Sequence, residues 1–287
     1  MTRKRHRARQ RISPLLWLFQ ITLMNLKPHK MRSHHIVRLY STAATKATTA
    51  APQQPPPPPL NPSALHYTTP ILSTYSTRLA SHTSSTKSPR WTYKGPPNTA
   101  WRHAAILIPL CTANGKPSVL FTMRSSKLRR HGGEVSFPGG AVDPGDKDVI
   151  ATALRETHEE ILIPPDHVTV LGQFHSLPDR THSILIHPIL SHIHTPHSLV
   201  PESMAFNPTE VEEVFCVSLE ELLGMQTETE HLRGGKRLVR NWNVGEKRIW
   251  GLTAWVLEAV LRVVVAPGGV SEEWREAWRA ERGITSD

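Results

Sequence analysis

Three glutamates, Glu156, Glu159 and Glu160, lie close together in a polar stretch of the sequence. If this stretch is helical, side chains three and four positions apart project from one face and reach one another. Unpaired like charges at this spacing destabilise a helix, so we expect a cation among them. Hard divalent ions such as Mg²⁺ prefer oxygen ligands, and the glutamates therefore predict a metal site. A solvated acidic helix face is the alternative.

The residues around the glutamates predict the helix that carries them. Residues 143–146 have the composition of a turn, and either Asp146 or Asp148 can cap the helix that follows. Apolar residues then recur at steps of three, four and seven, which predicts one face packed against a core. Pro164 and Pro165 end the helix, since neither can donate a helical hydrogen bond.

Two glycines and a basic segment precede this helix. Gly139-Gly140 permits backbone conformations that other residues resist, close to where a phosphate would lie. The glycines and the following helix resemble the Nudix box, whose helix contains Arg-Glu-x-x-Glu-Glu. Residues 120–140, LFTMRSSKLRRHGGEVSFPGG, also resemble the upstream signature of one branch of that family, the coenzyme A diphosphatases. The resemblance covers roughly residues 96–265.

Three positions depart from the general box. Arg155 follows Gly140 by fifteen residues, one more than the general box has, and Asp146 replaces a glutamate. The coenzyme A diphosphatase branch resembles this chain in both respects. Leu162 replaces the glycine that follows the helix, which leaves the geometry of the helix exit open but touches no carboxylate.

The resemblance implies a hydrolase in which water attacks a diphosphate held by Mg²⁺ or Mn²⁺. It implies Glu156 and Glu160 as direct metal ligands, with Glu159 sharing the metal cluster or orienting its waters. Arg155 is expected to pair with a box carboxylate and to orient it. The general base is either Glu156 or Glu210, because the loop that carries Glu210 resembles one that supplies an extra acid in the family.

The basic segment bears on substrate choice. Arg124, Arg129 and His131 match the branch signature and are expected to bind substrate, together with Gly139 and Gly140. Basic side chains suit coenzyme A, which carries a 3′-phosphate besides its diphosphate. The implied products are 3′,5′-ADP and phosphopantetheine or its acyl derivative.

Two alternatives stay open for the function. The first is another Nudix activity, on ADP-ribose, dinucleotides or oxidised nucleotides. The second is a non-catalytic Nudix binding module, although such proteins typically lose box glutamates that this chain retains.

The positive charge is concentrated at the front of the chain. The formal net charge is +10, and residues 1–100 contain fifteen Lys or Arg but no Asp or Glu. The remaining 187 residues contain 19 Lys or Arg and all 24 acidic residues. The basic character therefore describes the leader, and it does not predict a nucleic-acid partner for the domain.

Residues 1–40 have the composition of a mitochondrial presequence, rich in Arg, Ser and Thr and free of acids. The sequence around Tyr40 resembles the cleavage context of fungal mitochondrial precursors. The apolar stretch 15–24 is too short to span a bilayer, so stable membrane insertion is not expected. A secretory signal and a peroxisomal location are the alternatives.

The rest of the chain divides into a linker and one domain. Residues 41–97 are rich in Ala, Thr, Ser and Pro and predict a disordered linker. Residues 98–287 are long enough for a single core. Strands are predicted near 104–110, 117–123, 134–137, 168–171, 184–190 and 214–217, and helices over 251–265 and 272–282. This order suits the α/β/α sandwich with a mixed sheet that the resemblance implies; nothing in the sequence predicts an oligomeric state.

Overall fold

A computed structural model describes residues 65–88, 90, 92–96, 99–194, 198–225, 228–231 and 238–281. The predicted presequence, its cleavage site and residues 41–64 of the predicted linker lie outside the described residues. The α-helices within the described part are α1 (Thr69–Ser85), α2 (Val149–Ile161), α3 (Leu219–Gly224), α4 (Gly251–Ala259) and α5 (Glu272–Glu281). None of the described helices combines the length and the apolar character that crossing a membrane requires.

The strands form a mixed sheet and a small separate one. The main sheet contains β1 (Arg102–Ala113), β2 (Lys116–Arg124), β3 (Val135–Ser136), β4 (Gly139–Ala141), β5 (Val168–Gln173), β6 (Leu177–Pro178), β7 (Ile184–Ile193) and β8 (Val211–Ser218). In it, β1 runs parallel to β7 and antiparallel to β2. The small sheet contains β9 (Glu228–His231), β10 (Leu238–Val244) and β11 (Lys247–Ile249).

Helices cover both faces of the main sheet. On one face α2 inserts Ala153 against Ala105 and Leu107 of β1. On the other face, α1 and α4 bury apolar side chains such as Leu79 and Leu257 in the main core. The α/β/α architecture with a mixed sheet is thereby confirmed. Burial on two faces explains why the sequence of β1 is a nearly continuous apolar run.

Helix α1 corrects the predicted linker. The prediction of disorder over residues 41–97 is wrong for the described segment that contains α1, because Thr69–Ser85 is a helix. Its apolar residues are few, but Leu72, Tyr75 and Leu79 recur at steps of three and four, and the last two are buried. Because the segment is mostly Ser, Thr and Ala, its overall composition does not reveal these few regularly spaced apolar residues.

The remaining helix predictions hold with one difference. Residues 251–265 are helical as predicted, but the second half, Val260–Val265, is π-helical. Arg78 of α1 donates hydrogen bonds to the carbonyl oxygens of Val264 and Val265, at 2.6 and 3.2 Å. This guanidinium therefore supplies partners for carbonyls that the end of the helix leaves unpaired.

Candidate active site

Helix α2 begins and ends at residues that the sequence singles out. Of the two candidate caps, Asp148 takes the role, because its Oδ1 accepts a hydrogen bond from the N–H of Ala151 at 2.8 Å. The helix ends at Leu162, which has a φ of 55° and donates its N–H to the carbonyl of His158. Leucine thus adopts the left-handed conformation that a glycine favours at this position.

Three carboxylates converge beside this helix. Glu156, Glu160 and Glu210 each place one carboxylate oxygen within 4.8 Å of the others. A Mg²⁺ ion with ligands at about 2.1 Å brings neighbouring oxygens to roughly 3 Å, so small side-chain rotations would close the group around an ion. This donor set of hard oxygen atoms fits Mg²⁺ or Mn²⁺.

Glu160 is the most buried member of this carboxylate group, with 2% of its surface exposed. Its Oε2 accepts a hydrogen bond from the N–H of Gly139 at 3.1 Å, and its Oε1 lies 3.5 Å from a guanidinium nitrogen of Arg124. Burial raises the pKa of Glu160 to about 7, and these two partners offset only part of the effect. Burial also raises the pKa of Glu156. A divalent cation bound by these carboxylates would lower both pKa values again.

Arg155 links the turn before the helix to two box glutamates. Its Nε and one terminal nitrogen each lie 2.9 Å from an oxygen of Asp146, a bidentate pair. The other terminal nitrogen donates to Glu156 at 3.0 Å and to Glu159 at 2.9 Å. These contacts fix the rotamer of Glu156 beside the carboxylate group. They also hold the pKa of Asp146 well below its usual range.

Glu159 stands apart from the three converging carboxylates. Its side chain is 52% exposed and contacts Arg155. The geometry therefore supports Glu156, Glu160 and Glu210 as the ligand set, and leaves Glu159 at the rim.

The packing around positions 139 and 140 leaves no room for a side chain larger than that of glycine. Gly139 has a φ of 148°, and a Cβ there would collide with the carbonyl oxygen of Ala105. A Cβ at Gly140 would collide with the carboxylate of Glu156. The two glycines let Glu156 and Glu160 lie directly on the backbone of β4.

The predicted basic substrate-binding residues lie in two different places in the structure. Arg124 lies at the carboxylate group, next to Glu160, and is partly buried. Arg129 and His131 lie on the exposed loop 125–134, where His131 Nδ1 is 2.9 Å from a carboxylate oxygen of Glu134. The structure does not bring these two side chains to the carboxylate group.

Loop 125–134 is attached to the strand that follows Glu210. The N–H of Ser125 donates to the carbonyl of Glu210 at 2.9 Å, and the N–H of Ser126 donates to Glu212 Oε2 at 3.0 Å. Sequence reasoning missed Glu212 in this role. No local pattern indicates it, because the contact joins residues 86 positions apart.

Comparisons with known proteins agree with this geometry. A model of the NUDIX domain matches residues 101–240. The chain is 42% identical over 172 residues to the mitochondrial coenzyme A diphosphatase NUDT8 of Homo sapiens, covering 58% of this chain and 70% of that protein. It is 40% identical over 169 residues to the uncharacterised Nudix hydrolase NudL of Photorhabdus laumondii, covering 57% and 85%.

Among solved structures, a MutT/nudix family protein from Enterococcus faecalis matches 70% of this chain and 76% of its own, with 15% identity and a TM-score of 0.38. The assignment rests on the domain match and on sequence identity to relatives of which the chain covers more than two thirds. The chain belongs to the Nudix hydrolase family and is a Nudix diphosphatase.

Proposed function

We propose that this protein hydrolyses the diphosphate of coenzyme A or its acyl derivatives, releasing 3′,5′-ADP and phosphopantetheine or an acylated form. The observation that carries the proposal is the carboxylate group of Glu156, Glu160 and Glu210 beside the two glycines of β4. Relatives from Homo sapiens and Mus musculus, 42% and 44% identical, are mitochondrial coenzyme A diphosphatases, which supports the substrate.

The three carboxylates of this group would hold Mg²⁺ or Mn²⁺. When bound, such an ion neutralises phosphate charge and lowers the pKa of a bound water. Glu160 anchors the group, since it is fixed from both sides by Gly139 and Arg124. Arg155 keeps Glu156 directed at the same point.

We assign proton removal from the attacking water to Glu210. Glu156 is already held by Arg155, whereas Glu210 reaches the same point from the turn that leads into β8. One oxygen of its carboxylate would face the ion, and the other takes the proton as the water oxygen bonds to phosphorus and the bridging P–O bond of the diphosphate breaks. Glu159, held by Arg155 at the rim, orients waters around the ion instead of binding it.

Positive charge near the glutamates would complete the substrate site. Arg124 lies between Glu160 and loop 125–134 and can contact the diphosphate. Arg129 and His131 are exposed on that loop and are proposed to contact the substrate beside its diphosphate. Gly139 contributes differently from the prediction, because its N–H is already donated to Glu160.

A substrate panel tests the function. Coenzyme A, acetyl coenzyme A, dephospho-coenzyme A, ADP-ribose, diadenosine polyphosphates and an oxidised nucleotide are each incubated with protein and Mg²⁺ or Mn²⁺. Products are identified by mass. We expect the highest kcat/KM for a substrate with the 3′-phosphate. Preference for dephospho-coenzyme A or ADP-ribose would overturn the substrate, and inertness across the panel would favour a non-catalytic binding module.

We also propose that the protein acts in mitochondria. The composition of residues 1–40 and the mitochondrial relatives support this location over a peroxisomal one. A C-terminally tagged protein is localised by fractionation, and its mature N-terminus is sequenced. We expect mitochondrial protein that begins near Ser41; an intact N-terminus or a peroxisomal signal would contradict the proposal.

A further inference from the structure

Trp250 is an aromatic residue on the surface, directly before α4. It is 36% exposed and is one of the large hydrophobic residues that the described part of the chain leaves at the surface. Trp250 immediately precedes α4, where it occupies the cap position without a side-chain capping bond. An indole at a cap is unusual because Ser, Thr, Asp and Asn are the residues that satisfy a helix N-terminus.

The first turn of α4 is attached to β3, the strand that follows the basic segment. Thr253, in the first turn of α4, donates its hydroxyl to the carbonyl of Val135 on β3 at 3.1 Å. Val135 pairs with Met123 on β2, directly before Arg124. The start of α4 is therefore one strand away from the arginine that contacts Glu160.

Positive charge lies beside the indole. The guanidinium carbon of Arg248 is 6.0 Å from the centroid of the Trp250 ring, which is a cation–π arrangement. Both side chains are exposed. An exposed aromatic face next to an arginine suits a ligand that joins an aromatic ring to an anionic group, since bases stack on indoles and phosphates pair with guanidinium groups.

We propose that Trp250 and Arg248 form the subsite for the purine base and the 3′-phosphate of the substrate. The base stacks on the Trp250 ring, and the guanidinium of Arg248 faces the phosphate. This inference rests on the proposed function and deepens it: the metal ion that the carboxylate group would hold acts on the diphosphate, while Trp250 and Arg248 select the nucleotide half of the substrate. The substrate class is an adenosine 3′-phosphate with a 5′-diphosphate.

The test separates the two halves of coenzyme A. Binding of 3′,5′-ADP and of phosphopantetheine is titrated calorimetrically on the full chain and on the Trp250→Ala, Trp250→Phe and Arg248→Ala variants. We expect Trp250→Ala to raise the Kd for 3′,5′-ADP by about tenfold, which is the scale of one stacked base, and Trp250→Phe to raise it by less than about threefold. Phosphopantetheine binding stays unchanged. Arg248→Ala should raise the Kd for 3′,5′-ADP more than it raises the Kd for 5′-AMP.

Val200→Ala is the matched control, because Val200 is another exposed large hydrophobic residue, in the loop before β8. Thermal unfolding checks that each variant is folded. Equal Kd values for wild type and Trp250→Ala, or equal weakening of both fragments, would overturn the subsite. The titration measures binding and does not depend on turnover. If the wild type hydrolyses coenzyme A but Trp250→Ala leaves the Kd for 3′,5′-ADP unchanged, the subsite is wrong and the proposed function stands. A wild type that leaves coenzyme A intact defeats the proposed function.

Discussion

The carboxylate of Glu160 and the backbone of Gly139 are joined by a hydrogen bond of 3.1 Å. This bond fixes the last turn of α2 to β4, although the two residues are 21 positions apart. A Cβ at Gly139 would collide with Ala105 on β1, so the strand can approach this closely only with glycine there. The buried carboxylate of Glu160 is thus positioned by a backbone N–H group, which cannot rotate away as a side-chain donor can.

Glu160→Gln should lower kcat/KM for coenzyme A by at least about a hundredfold and should weaken Mg²⁺ binding. The amide keeps the shape of the side chain but removes the negative charge that a divalent ion requires. Kinetics at varied Mg²⁺ and a direct metal titration measure both effects. Glu276→Gln, on the exposed side of α5, is the control. Hydrolysis by Glu160→Gln with unchanged metal dependence would remove Glu160 from the ligand set.

Stability without metal should fall as pH rises. Burial raises the pKa of Glu160 from 4.5 to about 7, so between these values the folded protein holds a proton that the unfolded chain has released. The free energy of unfolding therefore decreases across this window, by up to about 3 kcal/mol for this group. Urea unfolding in a chelator at several pH values measures the change, and Mg²⁺ at pH 8 should restore stability.

Glu160→Gln serves again as the comparison for this titration. It has no proton to release, so its free energy of unfolding should depend less on pH than that of the wild type. Parallel curves for the two proteins would show that another group causes the dependence.

Arg155→Lys should lower kcat/KM by roughly ten- to a hundredfold, the scale seen when a partner that orients a metal ligand is lost. Lysine keeps the charge but cannot make two parallel bonds to Asp146 while also reaching Glu156. Steady-state kinetics measure the loss, with Arg102→Lys, an exposed arginine on β1, as the control. Full activity in Arg155→Lys would mean that Glu156 needs no such support.

Sequence reasoning predicted the parts of the site that lie within one segment. The helix that carries Glu156 and Glu160, its end before Pro164 and the two glycines ahead of it follow from local spacing and turn chemistry. The glycines and the helix lie close together because a single turn joins them, so their proximity can be predicted without knowing any contact between distant segments. Most strands of the main sheet were predictable for a similar reason, as apolar runs long enough to be buried. The short strands β4 and β6 were not predicted.

Contacts between distant segments were not predictable from the residues. The convergence of Glu210 with α2 was suggested only by resemblance, and the contact of Glu212 with Ser126 was missed. The small sheet of β9, β10 and β11 was also missed, since β9 and β11 are short and largely polar. Pairing across the fold decides these features, and the residues of one strand do not reveal its partner.

Leu162→Gly should raise the free energy of unfolding by about 1 kcal/mol. Leu162 adopts a left-handed conformation that costs an L-residue roughly 1–2 kcal/mol, and its side chain is 49% exposed, so little packing is lost. Chemical denaturation measures the gain. Leu162→Ala is the control, since alanine resists the same conformation. An equal gain for both variants would trace the effect to the exposed side chain.

Leu79→Ala should lower the free energy of unfolding by about 2–5 kcal/mol, the usual cost of truncating a buried leucine. Leu79 is 1% exposed and belongs to the main core. Thr77→Ala, two residues earlier on the exposed side of α1, is the control and should change stability little. If Leu79→Ala were equally harmless, α1 would not be part of the cooperative fold.

Helix α1 also limits how far the chain can be shortened from its front. Ser76 donates its hydroxyl to the carbonyl of Leu171 at 2.7 Å, and Arg78 joins the same helix to the end of the π-helical turn. A truncation that begins beyond Leu65 is expected to destabilise the fold, because it removes α1 from the sandwich.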